Sequence, residues 1–282
     1  MARKPRVEFS GALYHITARG NQRTDVFNSD ADREYFLELL RRIASRLGWR
    51  IHAYCLMGNH YHLLVETPGP NLGKGMQALG TTYTQAFNRR NRKIGHLFQG
   101  RYKALIVEKE SHLLEVSRYI VNNPVTASFV EHPWEWPWSS YRATAGMAPA
   151  PAWLETAWTL ERFHPTDSKK AVAKYRQFAD NQSSGDPFAE LHLGLILGSE
   201  QFAAEMKPMV EASLSKDRSA RTLAAQRPLG ELFAGCAGRG ERNASILLAY
   251  DSEGYTLAEI AGFLGLHEGS ISRIIRRERE KC

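Results

Sequence analysis

The 282-residue sequence predicts an α+β protein. Strand and helix patterns alternate in the order β-α-β-β-α-β up to residue 108, and the patterns that follow are helical. Near the C-terminus, two helical stretches separated by Gly265 have the spacing of a helix-turn-helix. The βαββαβ order is that of a ferredoxin-like antiparallel sheet with two helices on one face. We therefore expect a ferredoxin-like domain followed by an all-α C-terminal region with a helix-turn-helix.

The individual elements follow from local signals. Alternating β-branched and aromatic residues predict strands, and apolar residues at helical spacing between capping residues predict helices. The predicted elements of the first part are a strand at Leu13–Arg19, a helix from Ser29 or Asp30 to Gly48, strands at Arg50–Met57 and His60–Glu66, a helix from Asn71 to about Arg90, a strand at Lys103–Glu108, and a helix from Ser111 to Asn122 or Asn123.

The second half is predicted to be helical throughout. Its predicted helices are Leu154–Phe163, Ser168–Ala179, Pro187–Leu197, Glu200–Glu211, Glu241–Tyr250, Tyr255–Leu264 and His267–Arg279. Ala148-Pro149-Ala150-Pro151 has the composition of a linker. We accordingly divide the chain into a first domain at 1–147, a helical connecting region at 148–215, and a helix-turn-helix domain at 216–282.

Charge is distributed unevenly along the chain. Residues 1–150 contain 20 Lys and Arg against 12 Asp and Glu, whereas residues 151–282 contain 17 against 18. This excess in the first half indicates a polyanionic partner, with nucleic acid the leading candidate and a merely basic surface the alternative. The three cysteines are too few and too scattered for a disulfide framework or a zinc site. No apolar run approaches the roughly 20 residues that span a bilayer, so we expect no membrane partner and a bacterial cytoplasmic location, at the nucleoid when bound to DNA.

Two histidines on the third strand form the first candidate site. His60 and His62 are two positions apart, and strand side chains alternate, so both point to one face. Such a pair can hold a divalent metal. An ordinary pair of sheet histidines is the alternative reading.

The helix that follows the fourth strand supplies two more candidates. Tyr119 and Asn123 are four residues apart and hence share a helix face. Tyr119 could act as a nucleophile, and Asn123 could add an oxygen ligand to a metal held by the histidines. Nitrogen and oxygen ligation with open positions suits Mg²⁺ or Mn²⁺. Alternatively, Tyr119 packs on the sheet and Asn123 caps the helix.

Basic and amide side chains suggest where a nucleic acid would bind. They occur in the turn after the first strand, at the end of the second helix, in the loop before the fourth strand, and on the last helix. The candidates are Arg19, Asn21, Arg23, Arg89, Arg90, Arg92, Lys93, Arg101, Ser270, Arg273, Arg276 and Arg277. An ordinary polar loop is the alternative for the turn after the first strand, and a basic C-terminus that suits the helix dipole is the alternative for the end of the second helix. For the last helix, a plain three-helix bundle is the alternative.

The ordered set of motifs resembles a known family. His60-Tyr61-His62 is similar to the paired-histidine motif of HUH single-strand endonucleases, and Tyr119 with Asn123 resembles the tyrosine helix of the single-tyrosine IS200/IS605 transposases. Asn123 within Tyr-Ile-x-x-Asn-Pro, and the segment Trp136–Arg142, are most similar to the REP-associated tyrosine transposases. The resemblance covers about residues 7–146.

This resemblance implies a mechanism. Tyr119 would attack the scissile phosphate of a hairpin-bearing single-stranded DNA with the help of a divalent metal, leaving a 5′-phosphotyrosine and a free 3′-OH. Strand transfer, and hence DNA transposition, would follow. Monomer and homodimer both remain open. Small members of the family lack a C-terminal module like this one, which would add binding to duplex DNA.

Two other functions remain in competition. A non-catalytic transcriptional regulator would use the helix-turn-helix and retain the first domain as a vestige, although His60, His62, Tyr119 and Asn123 are all intact. An RNA-binding protein could use the same type of sheet. It lacks the Lys/Arg-Gly-Phe-type aromatic signature that such a sheet usually carries on a central strand.

Overall fold

The structure is a computed structural model that describes residues 7–181, 187–216, 228–236, 238–251, 255 and 257–279. Contacts divide the chain into two compact units, one of Glu8–Lys207 and one of Met1–Val7 with Pro208–Cys282. The predicted boundaries at 147 and 215 stay predictions. Within the described ranges, no helix is both long and apolar enough to cross a membrane.

The elements follow the predicted order through the first sheet. The strands are β1 (Ala12–Arg19), β2 (Arg50–Leu56), β3 (His60–Thr67), β4 (Lys103–Val107), β5 (Leu191–His192) and β6 (Ile196–Leu197). The helices are α1 (Asp30–Leu47), α2 (Leu72–Asn91), α3 (Lys109–Val121), α4 (Asn123–Thr126), α5 (Tyr141–Thr144), α6 (Ala157–Glu161), α7 (Ser168–Asp180), α8 (Glu200–Lys216), α9 (Leu229–Leu232), α10 (Arg239–Asp251), α11 (Leu257–Leu264) and α12 (Glu268–Arg279).

The sheet confirms the predicted ferredoxin-like arrangement and extends it. Its strand order is β2-β3-β1-β4-β6-β5, and the first four strands pair antiparallel. The prediction of a helix at 187–197 is wrong: β6 pairs parallel to β4, and β5 pairs antiparallel to β6. Each of these strands has two residues, too few to show a period of two in the sequence. Leu193 and Gly194, both with positive φ, turn the chain between them.

Helix ends agree with their capping signals in α1 but not in α3. The Ser29 hydroxyl accepts a hydrogen bond from the Asp32 amide, and Gly48 ends α1 in the left-handed conformation (φ 69°). The third helix, expected to begin at Ser111, begins at Lys109. The Ser111 hydroxyl instead donates to the Glu108 carboxylate (2.7 Å).

The two faces of the sheet are covered by different elements. Phe36 of α1 and Tyr83 of α2 pack around Tyr61 of β3 and form an aromatic core, with the Phe36 and Tyr61 ring centroids 4.8 Å apart. On the opposite face, α3 packs Leu113, Val116 and Ile120 against apolar residues of all four strands. The sheet is therefore buried on both sides, and the functional residues lie where α3 leaves part of the second face open.

The outer edge of β2 is covered by the segment Trp136–Arg142. The amide of Leu56 donates to the Trp138 carbonyl (2.8 Å), and the Trp136 indole N–H donates to the Leu56 carbonyl (3.1 Å). Backbone groups that would template pairing with another chain are thereby satisfied. Tyr141 in this segment is fully buried and donates its hydroxyl hydrogen to Asp180 (3.2 Å).

The C-terminal unit has its own small core. Ile246 of α10, Ile260 of α11 and Ile271 of α12 are each fully buried. Gly265, with φ of 65°, turns the chain between α11 and α12, as the sequence predicts. The arrangement of three helices with a glycine turn is consistent with a helix-turn-helix, which stays a prediction.

Candidate functional site: a histidine and tyrosine cleft

Cross-strand register brings the candidate side chains together. Thr17 of β1 lies opposite His62, and Arg19 lies opposite His60. Residues that oppose each other in a sheet project from the same face. A cavity of about 570 Å³, called the cleft below, lies against these strands. Its other walls are the loop before β4, α3 and the segment before β6. It is lined by His15, Thr17, Ala18, Arg19, His60, His62, Gln99, Gly100, Arg101, Lys103, Leu105, Tyr119, Phe188 and Leu191.

His60 is held by its neighbour in the turn before β3. Its Nδ1–H donates to the Asn59 side-chain oxygen (2.7 Å), and the Asn59 amide nitrogen donates to the Arg23 carbonyl (3.1 Å). The second bond fixes which way the Asn59 amide faces, so Nδ1 of His60 carries the proton and Nε2 keeps its lone pair. Burial, and then the positive charge of Arg19, lower the pKa of His60 below its usual value. The ring is therefore neutral at pH 7.

His62 is more deeply placed and is paired with a third histidine. Its Nδ1 lies 2.9 Å from Nε2 of His15, which is almost fully buried. Burial foremost, followed by the neighbouring His15, His60 and Arg19, lowers the pKa of His62 well below its usual range. Burial likewise lowers the pKa of His15 to about 4. Both rings are neutral at physiological pH, which is the form that binds metals.

Tyr119 lies directly against this histidine group. Its ring packs edge-on to His62 (5.7 Å between centroids) and to His15 (5.9 Å). Phe188 packs edge-on to Tyr119 (4.9 Å) and stacks on His15 (5.6 Å). The orientation of the tyrosine ring is thus set by three aromatic neighbours, and the half-buried side chain borders the cavity.

Asn123 lies near the histidines at the start of α4, the helix that directly follows α3. Helix α3 ends at Val121 and Asn123 begins α4, so the two candidates lie on consecutive helices instead of one. The spacing of four is nevertheless kept, because the Asn123 amide nitrogen donates to the Tyr119 carbonyl (3.1 Å). The Asn123 side chain is close enough to His60 to raise the pKa of that ring against the effects of burial and Arg19. Asn123 therefore lies beside His60.

The donor set fits a divalent cation that prefers nitrogen and oxygen. Two neutral imidazoles, His60 and His62, have their Nδ1 atoms engaged, which leaves Nε2 as the available donor, and Asn123 offers an amide oxygen. Among the described residues, no group of three His, Cys, Asp or Glu side chains could hold a metal. A metal here would therefore need an amide oxygen as its third protein ligand.

Three cations face the cleft. Arg19 and Arg101, both predicted as nucleic-acid contacts, line it together with Lys103 at the start of β4. The loop that carries Arg101 is fixed to β1, because the Gln99 amide donates to the Arg19 carbonyl and the Asn21 amide donates to the Leu97 carbonyl, both at 2.9 Å. These positive charges lie around a pocket whose other polar side chains are neutral, so the site is suited to an anion.

The turn after β1 also forms as expected. Asn21 and Arg23 lie in a single 3₁₀ turn, exposed, next to the Gly58-Asn59 turn that precedes His60. Gly20 permits the tightness of this turn, since a Cβ there would lie 2.0 Å from the Thr24 carbonyl oxygen. Asn21 and Arg23 do not line the cavity.

The basic end of α2 does not line the cavity. Arg90 makes an ion pair with the buried carboxylate of Asp32 and lies over the Tyr35 ring (5.6 Å). Lys93 lies over the Phe87 ring (5.2 Å), and Arg92 ends the helix in the left-handed conformation. Arg89 is exposed. A role of this group in DNA contact stays a prediction, and Arg90 also ties α2 to α1.

The candidates on the last helix are arranged within the C-terminal unit alone. Ser270 is half-buried, whereas Arg273, Arg276 and Arg277 are exposed along α12. The Arg273 guanidinium donates to the Gly269 carbonyl (3.1 Å). Their proposed contact with duplex DNA stays a prediction.

Sequence reasoning missed several residues of the cleft. His15 and Lys103 belong to strands that were recognised, and the alternation of β1 already places His15 on the face of Thr17 and Arg19. Phe188 and Leu191 come from the segment that was expected to be a helix. The parity of β1 could have found His15, whereas Phe188 and Leu191 lie in or beside strands that are too short to show a strand pattern.

Comparisons with known proteins cover about the first half of the chain. Residues 8–123 match a family model described as "Transposase IS200 like". A protein of Haemophilus influenzae named as a REP-associated tyrosine transposase is 25% identical over 142 residues, which are 46% of this chain and 80% of that protein.

Solved structures give weaker likenesses. A REP-associated tyrosine transposase bound to a REP hairpin is 17% identical, covers 53% of this chain and 90% of its own, and has a TM-score of 0.46. A Deinococcus radiodurans protein described as a transposase is 23% identical, covers 43% of this chain and 97% of its own, and has a TM-score of 0.31.

Proposed function

We propose, from the match of residues 8–123 to the family model described as "Transposase IS200 like", that this protein cuts and rejoins single-stranded DNA through a tyrosine. That the chain carries a transposase domain and is a DNA-processing enzyme rests on this family match. In the proposed chemistry Tyr119 is the nucleophile, and His60, His62 and Asn123 hold a divalent metal.

One observation carries this proposal. Tyr119 of α3 and the two neutral histidines of β3 line one cavity together with Arg19, Arg101 and Lys103, and Asn123 of α4 lies beside His60. A nucleophile beside a neutral metal-type donor set, within a ring of cations, is what attack on a phosphodiester requires. A purely structural tyrosine would need no such surroundings.

The bond changes can be assigned to named atoms. The oxygen of Tyr119 forms a bond to phosphorus and loses its proton, while the bond from phosphorus to the 3′ oxygen breaks. The 3′ oxygen leaves as a hydroxyl, and the 5′ phosphate stays on the tyrosine. The energy of the broken bond is retained in the phosphotyrosine, so a second 3′-OH can reverse the step and join strands without ATP.

The metal and the cations have separate tasks. A bound Mg²⁺ or Mn²⁺ would draw charge from the phosphate oxygens and favour departure of the 3′ oxygen. Arg19 and Arg101 would hold the phosphates on either side of the reacting one.

The substrate follows from the resemblance of the motifs. We propose a hairpin-bearing single strand, with the exposed side chains of Asn21 and Arg23 beside the cleft as further contacts. The C-terminal unit would add contacts to duplex DNA through Arg273, Arg276 and Arg277, which are exposed along α12. Monomer and homodimer remain alternatives for the active form.

A DNA-binding regulator is the second candidate. The exposed arginines of α12 favour it, since a regulator would use them to bind DNA and would not need to cleave the DNA. It gives no reason for the packing of Tyr119 against His15 and His62. The two functions differ in whether a covalent bond to DNA forms.

A cleavage assay separates them. Labelled single-stranded hairpin oligonucleotides are incubated with the full chain and Mg²⁺ or Mn²⁺, with an EDTA control and the Tyr119→Phe variant. The proposal expects a covalent protein–DNA band that needs both the metal and Tyr119. Intact duplex binding with no adduct across a diverse pool would favour the regulator, and an adduct that survives in Tyr119→Phe would reject Tyr119 as the nucleophile.

A further inference from the structure

His15 is a buried histidine that the proposed chemistry does not use. It lies on β1, 3% exposed, and its Nε2 is 2.9 Å from Nδ1 of His62. Its Nδ1 is also buried and has no hydrogen-bond partner in the part of the chain that the structure describes. A buried histidine with one unpartnered ring nitrogen lowers the stability of the fold relative to an alkyl or phenyl side chain, which would leave no polar atom unsatisfied.

The position of His15 is set on every side. Its ring stacks on Phe188 (5.6 Å) and packs edge-on to Tyr119 (5.9 Å), while β1 holds its backbone in the sheet. The hydrogen bond to His62 is therefore directed by a rigid frame. A ring held in this way can fix the orientation and tautomer of its partner.

The tautomer of His62 decides whether it can bind a metal. If Nδ1 carries the proton, Nε2 has a free lone pair; if Nε2 carries the proton, it has none. For His60 the tautomer is fixed by the Asn59 side-chain oxygen, which can only accept a hydrogen bond. For His62 the corresponding partner is the Nε2 of His15, and which of the two nitrogens donates depends on the tautomers of the two rings.

We infer that His15 is a positioning residue, which accepts the Nδ1–H of His62 and so presents the Nε2 of His62 to the metal. This inference rests on the proposed metal site and deepens it. It assigns the two histidines of the β3 pair separate supports, Asn59 for His60 and His15 for His62. It also requires His15 to carry its own proton on Nδ1, the atom without a partner.

Metal affinity tests the inference without using activity. Binding of Mn²⁺ to the full chain is measured by calorimetry for the wild type, His15→Phe and His15→Gln. A lost support of this kind weakens metal binding by about 10- to 100-fold. We expect that loss in His15→Phe and its recovery to within a few fold in His15→Gln, whose side-chain oxygen can accept from His62.

A matched control comes from a second buried histidine of the same sheet. His52 is 1% exposed and pairs with Glu66 (2.9 Å), not with a residue of the cleft. The His52→Gln variant is expected to keep wild-type affinity for Mn²⁺. Equal affinities in the wild type and His15→Phe would overturn the inference and leave the proposed function intact, whereas no binding by the wild type would overturn both.

A second readout uses the wild type and so does not depend on any variant folding. Long-range proton–nitrogen NMR on histidine-labelled protein with diamagnetic Mg²⁺ reports which ring nitrogen carries each proton. We expect His62 and His15 both to be protonated on Nδ1. Protonation of metal-loaded His62 on Nε2 would overturn the inference.

Discussion

The two faces of strand β3 differ in what they contribute. Tyr61, on one face, is buried among the aromatic rings of α1 and α2. His60 and His62, its neighbours on either side, project from the other face toward Tyr119 and the cations of the cleft. At this end of β3 the alternation of side chains therefore places the aromatic core on one face and the candidate chemistry on the other: packing of Tyr61 fixes the backbone, so that the opposite face can carry unfavourably buried polar groups.

The largest effect should come from removing a metal-type donor on the reactive face. We expect His60→Ala to lower formation of the covalent adduct by at least about a thousandfold, because a bound metal supplies several kcal/mol of charge stabilisation. Adduct yield per folded molecule, with far-UV circular dichroism as the folding check, measures this. A variant that still forms the adduct at near wild-type rate would show that His60 is not a ligand.

A change on the aromatic face of β3 should affect the free energy of unfolding instead of adduct formation. Phe36→Ala removes a nearly fully buried ring from the aromatic core and should lower the free energy of unfolding by about 3–5 kcal/mol. Urea unfolding measures the loss. At a temperature where the variant stays folded, its adduct rate per folded molecule should equal that of the wild type, and a large drop there would contradict the separation of the two faces.

Cations at the rim should affect affinity more than chemistry. We expect Arg101→Ala to weaken binding of single-stranded DNA by about tenfold and to lower the slope of affinity against salt by about one counterion. Arg46→Ala is the matched control, since Arg46 is exposed in the last turn of α1 and the change in net charge is the same. Equal losses in both variants would mean that general charge, not the cleft, binds the DNA.

The smallest effect concerns the far end of the reactive face. Glu66 accepts from His52 (2.9 Å) and from Lys109 (2.8 Å), and these partners lower its pKa from 4.5 to about 2. A lowered carboxyl pKa stabilises the fold above pH 4.5 and loses this contribution as the pH falls toward 2. After allowance for solvent screening, the contribution is on the order of 1 kcal/mol.

Urea unfolding of the wild type and Glu66→Gln at several pH values checks this. The wild type should exceed the variant in stability at pH 6, and the gap should shrink by pH 2.5. A gap that does not change over this range would mean that the Glu66 carboxylate gains nothing from its two partners.

More of the aromatic face of the sheet than of the histidine-bearing face could be predicted from the sequence. Strand and helix periods located β1 to β4 and both helices of the aromatic core, and the parity of β3 placed His60 and His62 together. The contact of His15 with His62 joins residues 47 apart in sequence, and it depends on the register between β1 and β3, two strands that no hairpin turn joins. Phe188 was missed because β5 and β6 exist only through pairing with β4.

The identity of the nucleophile is the most direct test of the account. Trypsin cleavage after Arg118 and Arg142 releases one peptide that contains both Tyr119 and Tyr141. Fragmentation of that peptide from the trapped protein–DNA adduct by mass spectrometry locates the nucleotide. We predict that it lies on Tyr119, because Tyr141 is fully buried and bonded to Asp180. A nucleotide on Tyr141, or on Tyr102 in another peptide, would contradict the assignment of the active site.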